Sequence, residues 1–176
     1  MKLSELFIAD LKRDAEATRH VLARVPEGRN SWKPHEKSME LGYLTVLVAT
    51  MAGWVDFMVG TDEFDMIPAN GPAYHSPKFE SRVQILQVHE ECLKKAVTAL
   101  QNTTDEHLQK PWRFMARGHV VSELPRHINI RDGVINHLAH HRGQLTVYLR
   151  LTSASVPAIY GPSADDGKEM FASKWG

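Results

Sequence analysis

The sequence predicts an all-α protein, a four-helix bundle in which a long crossover loop joins the second helix to the third. Two observations carry this expectation. Four stretches repeat apolar residues at spacings of three and four with charges between them, the pattern of amphipathic helices. Between the second and third stretches, Thr61 to Pro77 carries Pro68, Gly71, Pro72 and Pro77 and keeps no helical period, so it reads as a crossover or lid-like loop. No internal repeat or low-complexity tract divides the chain, and 176 residues suit one domain spanning 1–176.

The first stretch runs from about Leu3 to Val25, with Leu6, Phe7, Leu11, Ala15, Thr18, Val21 and Leu22 on its apolar face, and Pro26 and Gly28 stop it. Glu27 to Lys37 is expected to be a loop in which Trp32 tucks back onto the bundle. Ser38 offers an N-cap to a second helix, whose stripe is Leu41, Leu44, Val48, Met51, Val55 and Met58 and which Gly60 ends. The third helix is expected from about Lys78 to Leu100 with Phe79, Val83, Leu86, Leu93, Ala96, Val97 and Leu100 inward. Thr103 to Leu124 is irregular by composition. In it Trp112, Phe114 and Met115 suit an edge that packs on the bundle or lines a pocket, and His119 to Val121 alternates like a short strand. The fourth helix is expected from about His127 to Leu151, followed by an extended Val156 to Pro162 and a short helical turn capped by Ser163 to Asp166.

Composition narrows the function classes. Lys plus Arg and Asp plus Glu are both 21, giving zero formal charge, so the basic footprint of a nucleic-acid or anionic-membrane partner is absent. The N-terminal stretch becomes acidic too early for a signal peptide, and no apolar run is expected to cross a bilayer. A single cysteine, Cys92, rules out an intrachain disulfide and agrees with a cytoplasmic location. The ten histidines are the compositional oddity.

Two of them set the chemistry. His137 and His141 are four apart on the fourth helix, so both imidazoles can aim at one point, the geometry of a metal chelate. His141 falls on the buried stripe. Read without metal, His141 is a hydrogen-bonded core histidine and His137 a boundary one. Arg142 and Gln144 flank the pair, suited to orienting a ligand, to holding a substrate carboxylate, or simply to solvation.

Three stretches resemble the DinB-like (DinB/YfiT-like) metalloenzyme family. They are Val25 to Glu27 continuing through Trp32 to Met39; the helix from Leu41 and Gly42 to Gly53 and Trp54; and His137 to Leu151 with Val156, Pro157 and Tyr160 to Asp165. Together they span nearly the whole chain. The resemblance implies a four-helix bundle with a three-histidine site for a divalent metal, zinc or nickel, whose second and third ligands match His137 and His141. The first ligand is expected in a Leu-Gly-x-Leu-x-x-His-Val-Ala pattern. In the stretch Leu41 to Ala49 that position is Leu47, which cannot coordinate a metal. His89 and Cys92 on the third helix are candidate replacements, and His35, Glu40 and His75 become candidates if a loop or helix start folds in.

Three readings suit these residues. In the first, the resemblance implies a metal-dependent thiol S-transferase, in which the metal stabilises a thiolate, or a hydrolase, in which it activates water. In the second, loss of the ligand at Leu47 leaves a metal-free bundle that binds a small molecule, with Trp54, Phe57 and Met58 extending an apolar lining. In the third the role is structural, in a homodimer.

Overall fold

A computed structural model describes residues 1–68 and 77–165 of the chain. It corrects the all-α expectation. Seven α-helical segments, α1 (Leu3–Leu22), α2 (Leu41–Thr50), α3 (Trp54–Gly60), α4 (Arg82–Gln101), α5 (Asp105–Gln109), α6 (Arg126–Ile130) and α7 (His137–Leu151), share the described residues with three strands. The strands are β1 (Glu63–Asp65), β2 (Pro111–Ala116) and β3 (His119–Pro125), in the order β1-β2-β3. β1 runs parallel to β2, with Phe64 opposite Phe114, and β2 runs antiparallel to β3, with Trp112 opposite Leu124. The protein is therefore a mixed helix-and-sheet structure and not an all-α four-helix bundle.

The two regions that lacked helical period are the ones that make the sheet. Arg117 (φ 53°) and Gly118 (φ 75°) form the two-residue turn of the β2–β3 hairpin, both in the left-handed region that such turns demand. Asp65, at the end of β1, accepts hydrogen bonds from the backbone N–H groups of Gly118 (2.7 Å), Ile67 (2.9 Å) and Arg117 (3.0 Å). One carboxylate thus fastens the hairpin turn to the crossover segment. On β2, Trp112 is buried and Phe114 half-buried while Arg113 between them is exposed, the alternation of a sheet with one face covered.

The helices also depart from the expected spans. The second is interrupted by a 3-10 turn, Met51–Gly53, where α4 comes close: a Cβ on Gly53 would lie 3.1 Å from Cys92 Sγ. The run Leu41–Gly60 is long and apolar enough to cross a membrane, contrary to the expectation, yet most of it is buried inside the fold. α4 begins four residues later than expected, and Val83 is exposed instead of inward. Ser81 caps that helix, its hydroxyl accepting from Gln84 N at 3.1 Å. Of the span Ser163 to Asp166 expected to cap a final turn, Ala164 and Asp165 lie in a turn, and Asp166 onward is outside the described residues.

The core forms two clusters. One gathers Leu44, Val48, Leu138, Leu145 and Leu149 between α2 and α7, and Trp32 packs on it edge-on to Tyr148 at 5.5 Å. The other gathers Phe7, Leu11, Val55, Ile130 and Trp112. Trp54 packs against both.

Two buried polar side chains join elements across these clusters. Arg126, 1% exposed, donates to the carbonyl oxygens of Met58 (3.0 Å), Thr61 (2.8 Å) and Pro111 (2.8 Å), and pairs with Asp62 at 2.5 Å. It therefore ties the end of α3 and the approach to β1 to the start of β2. His89 places its ring nitrogens 3.2 Å from Ala15 O and 3.3 Å from Ala49 O, bridging α1 and α2 from α4. Burial lowers its pKa from the ordinary 6.5, against the pull of the two carbonyls.

Both side chains can be tested by their effect on stability. Arg126→Met leaves the buried Met58 carbonyl and the part-buried Thr61 and Pro111 carbonyls without their donor, and urea unfolding should show a loss of about 2 kcal/mol; a change under about 0.5 kcal/mol, the scale of an ordinary surface substitution, contradicts the role given to it. Because folded His89 resists protonation, the unfolded chain takes up the proton first as pH falls below 6.5. Its contribution to stability is thus present above 6.5 and is lost as pH falls toward the depressed folded value. The urea midpoint should drop between about pH 7.5 and 5.5, and less steeply in His89→Gln; equal slopes would contradict the assignment.

Candidate functional site

The site is built on one continuous helical run from Arg126 to Leu151. Between α6 and α7 it passes through a π-helical segment, Arg131–Asn136, which directly precedes His137. The wider turn resets the angular phase of every later side chain, and such segments recur where side chains must be re-aimed. In α7 the buried face is Leu138, His141, Arg142, Leu145, Tyr148 and Leu149, with His137 half-buried one turn before His141.

The structure brings the two histidines together. Their Nε2 atoms are 2.8 Å apart, and the rings are tilted by 47° at 4.5 Å between centroids. His141 Nδ1 lies 2.7 Å from Gln144 Oε1. An amide oxygen only accepts, so His141 Nδ1 carries the hydrogen and its Nε2 carries a lone pair. His137 must then donate its Nε2–H to that lone pair. Burial lowers the pKa of His141, and the nearby His137 and His140 act in the same direction, against the stabilising Gln144 contact.

Among the described residues, a third donor does not join them. Leu47 is half-buried in α2 and packs against the core cluster that also holds Leu138 and Leu145. Both nitrogens of His89 face backbone carbonyls, so neither is directed at the pair. Cys92 packs against Gly53, and burial raises its thiol pKa, which disfavours the thiolate a metal requires. His35 and Glu40 are exposed, and His75 lies outside the described residues. Among the described residues no three His, Cys, Asp or Glu side chains converge. A catalytic zinc site takes three protein donors and an open position. Two imidazoles that hydrogen-bond each other do not fit it.

Gln144 holds His141 in a fixed tautomer, one of the roles its spacing suggested. Arg142 does not face a substrate or solvent. It is 1% exposed and donates to Asp14 O at 2.9 Å and Thr18 Oγ1 at 3.1 Å, with the Asp14 carboxylate 3.7 Å away. The Tyr160 hydroxyl accepts from the same guanidinium and lies 3.2 Å from Asp14 Oδ1. Arg142 is thus a positioning residue that anchors α7 to α1 and to the segment following α7.

Beside the pair lies a cleft of about 260 Å3 between the sheet and the helices. Trp54, Phe57 and Met58 form the helical wall, as the sequence suggested, and Phe64, Trp112 and Phe114 form the sheet wall. Ser122, Asn129 and His137 are its polar members. Phe64 stacks on Phe57 at 4.7 Å, and Trp54 lies 6.0 Å from the His137 ring. A wider cleft of about 580 Å3 on the other side of Trp54 is bordered by Leu47, Glu40, Tyr43 and Phe79. Trp112 and Phe114 line the cleft from the sheet as expected of that edge, while Met115 is not part of the lining. Nothing in the pattern marks Asn129, whose position depends on where β2 and β3 meet α6.

Similarity to known proteins agrees with this architecture. A DinB-like protein from Bacillus cereus ATCC 10987 superposes with a TM-score of 0.67 at 25% identity, over 89% of this chain and 97% of that one. The DinB-like protein YjoA from Bacillus subtilis shares the fold with a TM-score of 0.62 at 14% identity, over 90% and 99% of the two chains. An uncharacterized Bacillus subtilis protein, YrdA, is 31% identical over 96 residues, and the match spans about half the length of that relative, 54% of each chain. A sequence profile of the DinB family matches residues 2–171, nearly the whole chain, and the protein belongs to that family.

Proposed function

We propose that this DinB-family protein binds a small molecule in the aromatic cleft without a resident divalent metal. The observation that carries this reading is the donor set. Leu47 stands where the resemblance places the first histidine, and the facing nitrogens of His137 and His141 are engaged with each other. For a metal to bind, His137 must give up the Nε2–H that bonds His141, and two imidazoles must hold the ion alone. A largely apolar cleft with a few polar groups at one side is the usual character of a ligand pocket. His137 borders it, so the histidine pair contributes a polar wall whose tautomers Gln144 sets. In this reading the pair positions a ligand by hydrogen bonding and performs no thiol transfer or hydrolysis.

The test is elemental analysis of untagged protein purified without a nickel column, alongside His137→Ala/His141→Ala. Zinc and nickel well below one equivalent in both proteins is the expected result. Near-stoichiometric metal that vanishes in the double variant would overturn the reading and favour a metal-dependent transferase or hydrolase. Restoring the missing donor gives a second check: Leu47→His should raise zinc affinity on the order of tenfold or more in a competition titration. Unchanged affinity would mean that position 47 is not the missing corner of the site.

A further inference from the structure

The most buried polar side chain of the aromatic cleft has an acceptor that its apolar walls do not satisfy. Asn129 is 8% exposed, and its amide Nδ2 donates to Leu124 O at 2.9 Å and Trp112 O at 3.4 Å. Those two carbonyls fix the orientation of the amide, since turning it over would set oxygen against oxygen. Oδ1 is thereby left without a protein partner among the described residues, on a side chain that lines the cleft. An acceptor in apolar surroundings is costly to leave unmet once a guest displaces water from it, so it selects for a donor. The Ser122 hydroxyl stands on the same wall.

Charge and shape restrict the ligand further. Among the described residues no Asp, Glu, Lys or Arg lines the cleft, so a charged ligand would be desolvated with no counter-charge. Relative to the plane of Phe57, the rings of Phe64 and Trp112 are inclined by 24° and 32°, which favours a flat guest over a globular one. An apolar cavity of about 150 Å3 accommodates one benzene. At about 260 Å3 the cleft has room for one ring with a substituent or for two fused rings.

On the basis of the metal-free ligand-binding reading, we infer that the cleft takes a neutral planar aromatic molecule of one or two fused rings carrying an N–H or O–H donor, and that Asn129 Oδ1 is the acceptor that recognises this donor. The ring lies flat against the wall that the mutually packed Phe57, Phe64 and Trp112 side chains form, while its donor points to Asn129.

Isothermal titration with indole and with benzothiophene, which has the same shape but no N–H, tests the assignment on the unaltered protein. Indole should bind saturably at one site per chain, and benzothiophene about five- to tenfold more weakly, the effect of one hydrogen bond. Gly133→Leu fills the cleft from the π-helical segment, where an added Cβ meets only Met58 Cε at 3.6 Å, and should abolish indole binding. If that variant does not unfold cooperatively, Ser122→Leu fills the same space from β3. No saturable indole binding, or binding that persists in the filled cleft, would overturn the assignment. Equal affinity for the two rings in a protein shown to lack metal would overturn the role of Asn129 while leaving the metal-free reading standing. Stoichiometric metal would overturn that reading whichever ring binds.

Discussion

The buried guanidinium of Arg126 is the constraint on which the cleft depends. Helix α3 ends and β1 approaches where the buried Met58 carbonyl and the part-buried Thr61 and Pro111 carbonyls need donors. Arg126 supplies donors to Met58, Thr61 and Pro111 and reaches Asp62 at the surface. A guanidinium suits the position because its planar fork offers several donors in fixed directions and stays charged. By joining the end of α3 to the start of β2, it holds the sheet against the helices. The cleft is the space between those two walls. Asn129 comes three residues later on the same helical run, so the residue that fixes the walls also places the acceptor between them.

The second constraint is a count of donors. Spacing of four residues on α7 is enough to bring two imidazole nitrogens within 2.8 Å, and Gln144 one turn on assigns their protons. In a family resemblance that implies three histidines, the two that remain still converge. Leu47 holds the position that the resemblance gives to a histidine, and His89 and Cys92 are engaged in contacts away from the pair. The two facing imidazoles lie within hydrogen-bond distance of each other, and His137 carries their polar edge to the cleft.

The two histidine environments share a physical logic. His89 in the core and His141 at the site both have pKa values lowered chiefly by burial, so each is held neutral by its surroundings. Arg142 is the counterpart on the other side of α7. Its pairing with Asp14 and Tyr160 resists any rotation of the helix that would carry His137 away from the cleft.

Much of this was legible from the sequence, because periodicity and spacing are local properties. The apolar stripes of α1, α2, α4 and α7, the return of Trp32 onto the core, and the convergence of His137 and His141 stem from 3.6 residues per turn. That Leu47 stands where a histidine is expected comes from the family resemblance and not from the residues themselves. Other features depend on partners distant in sequence. Strand β1 has three residues and exists only because β2 pairs with it, so no local alternation could announce it. The 3-10 turn at Met51–Gly53 reflects the close approach of Cys92 from another helix. Arg142 and Arg126 are surface-like by residue type, and only the carbonyls gathered around them account for their burial. The sequence by itself thus determined the helices, the histidine pair and the aromatic residues of the cleft walls; tertiary structure alone decided the pairing of β1 with β2, the facing of the two walls and the free acceptor of Asn129, because each depends on contacts between segments distant in sequence.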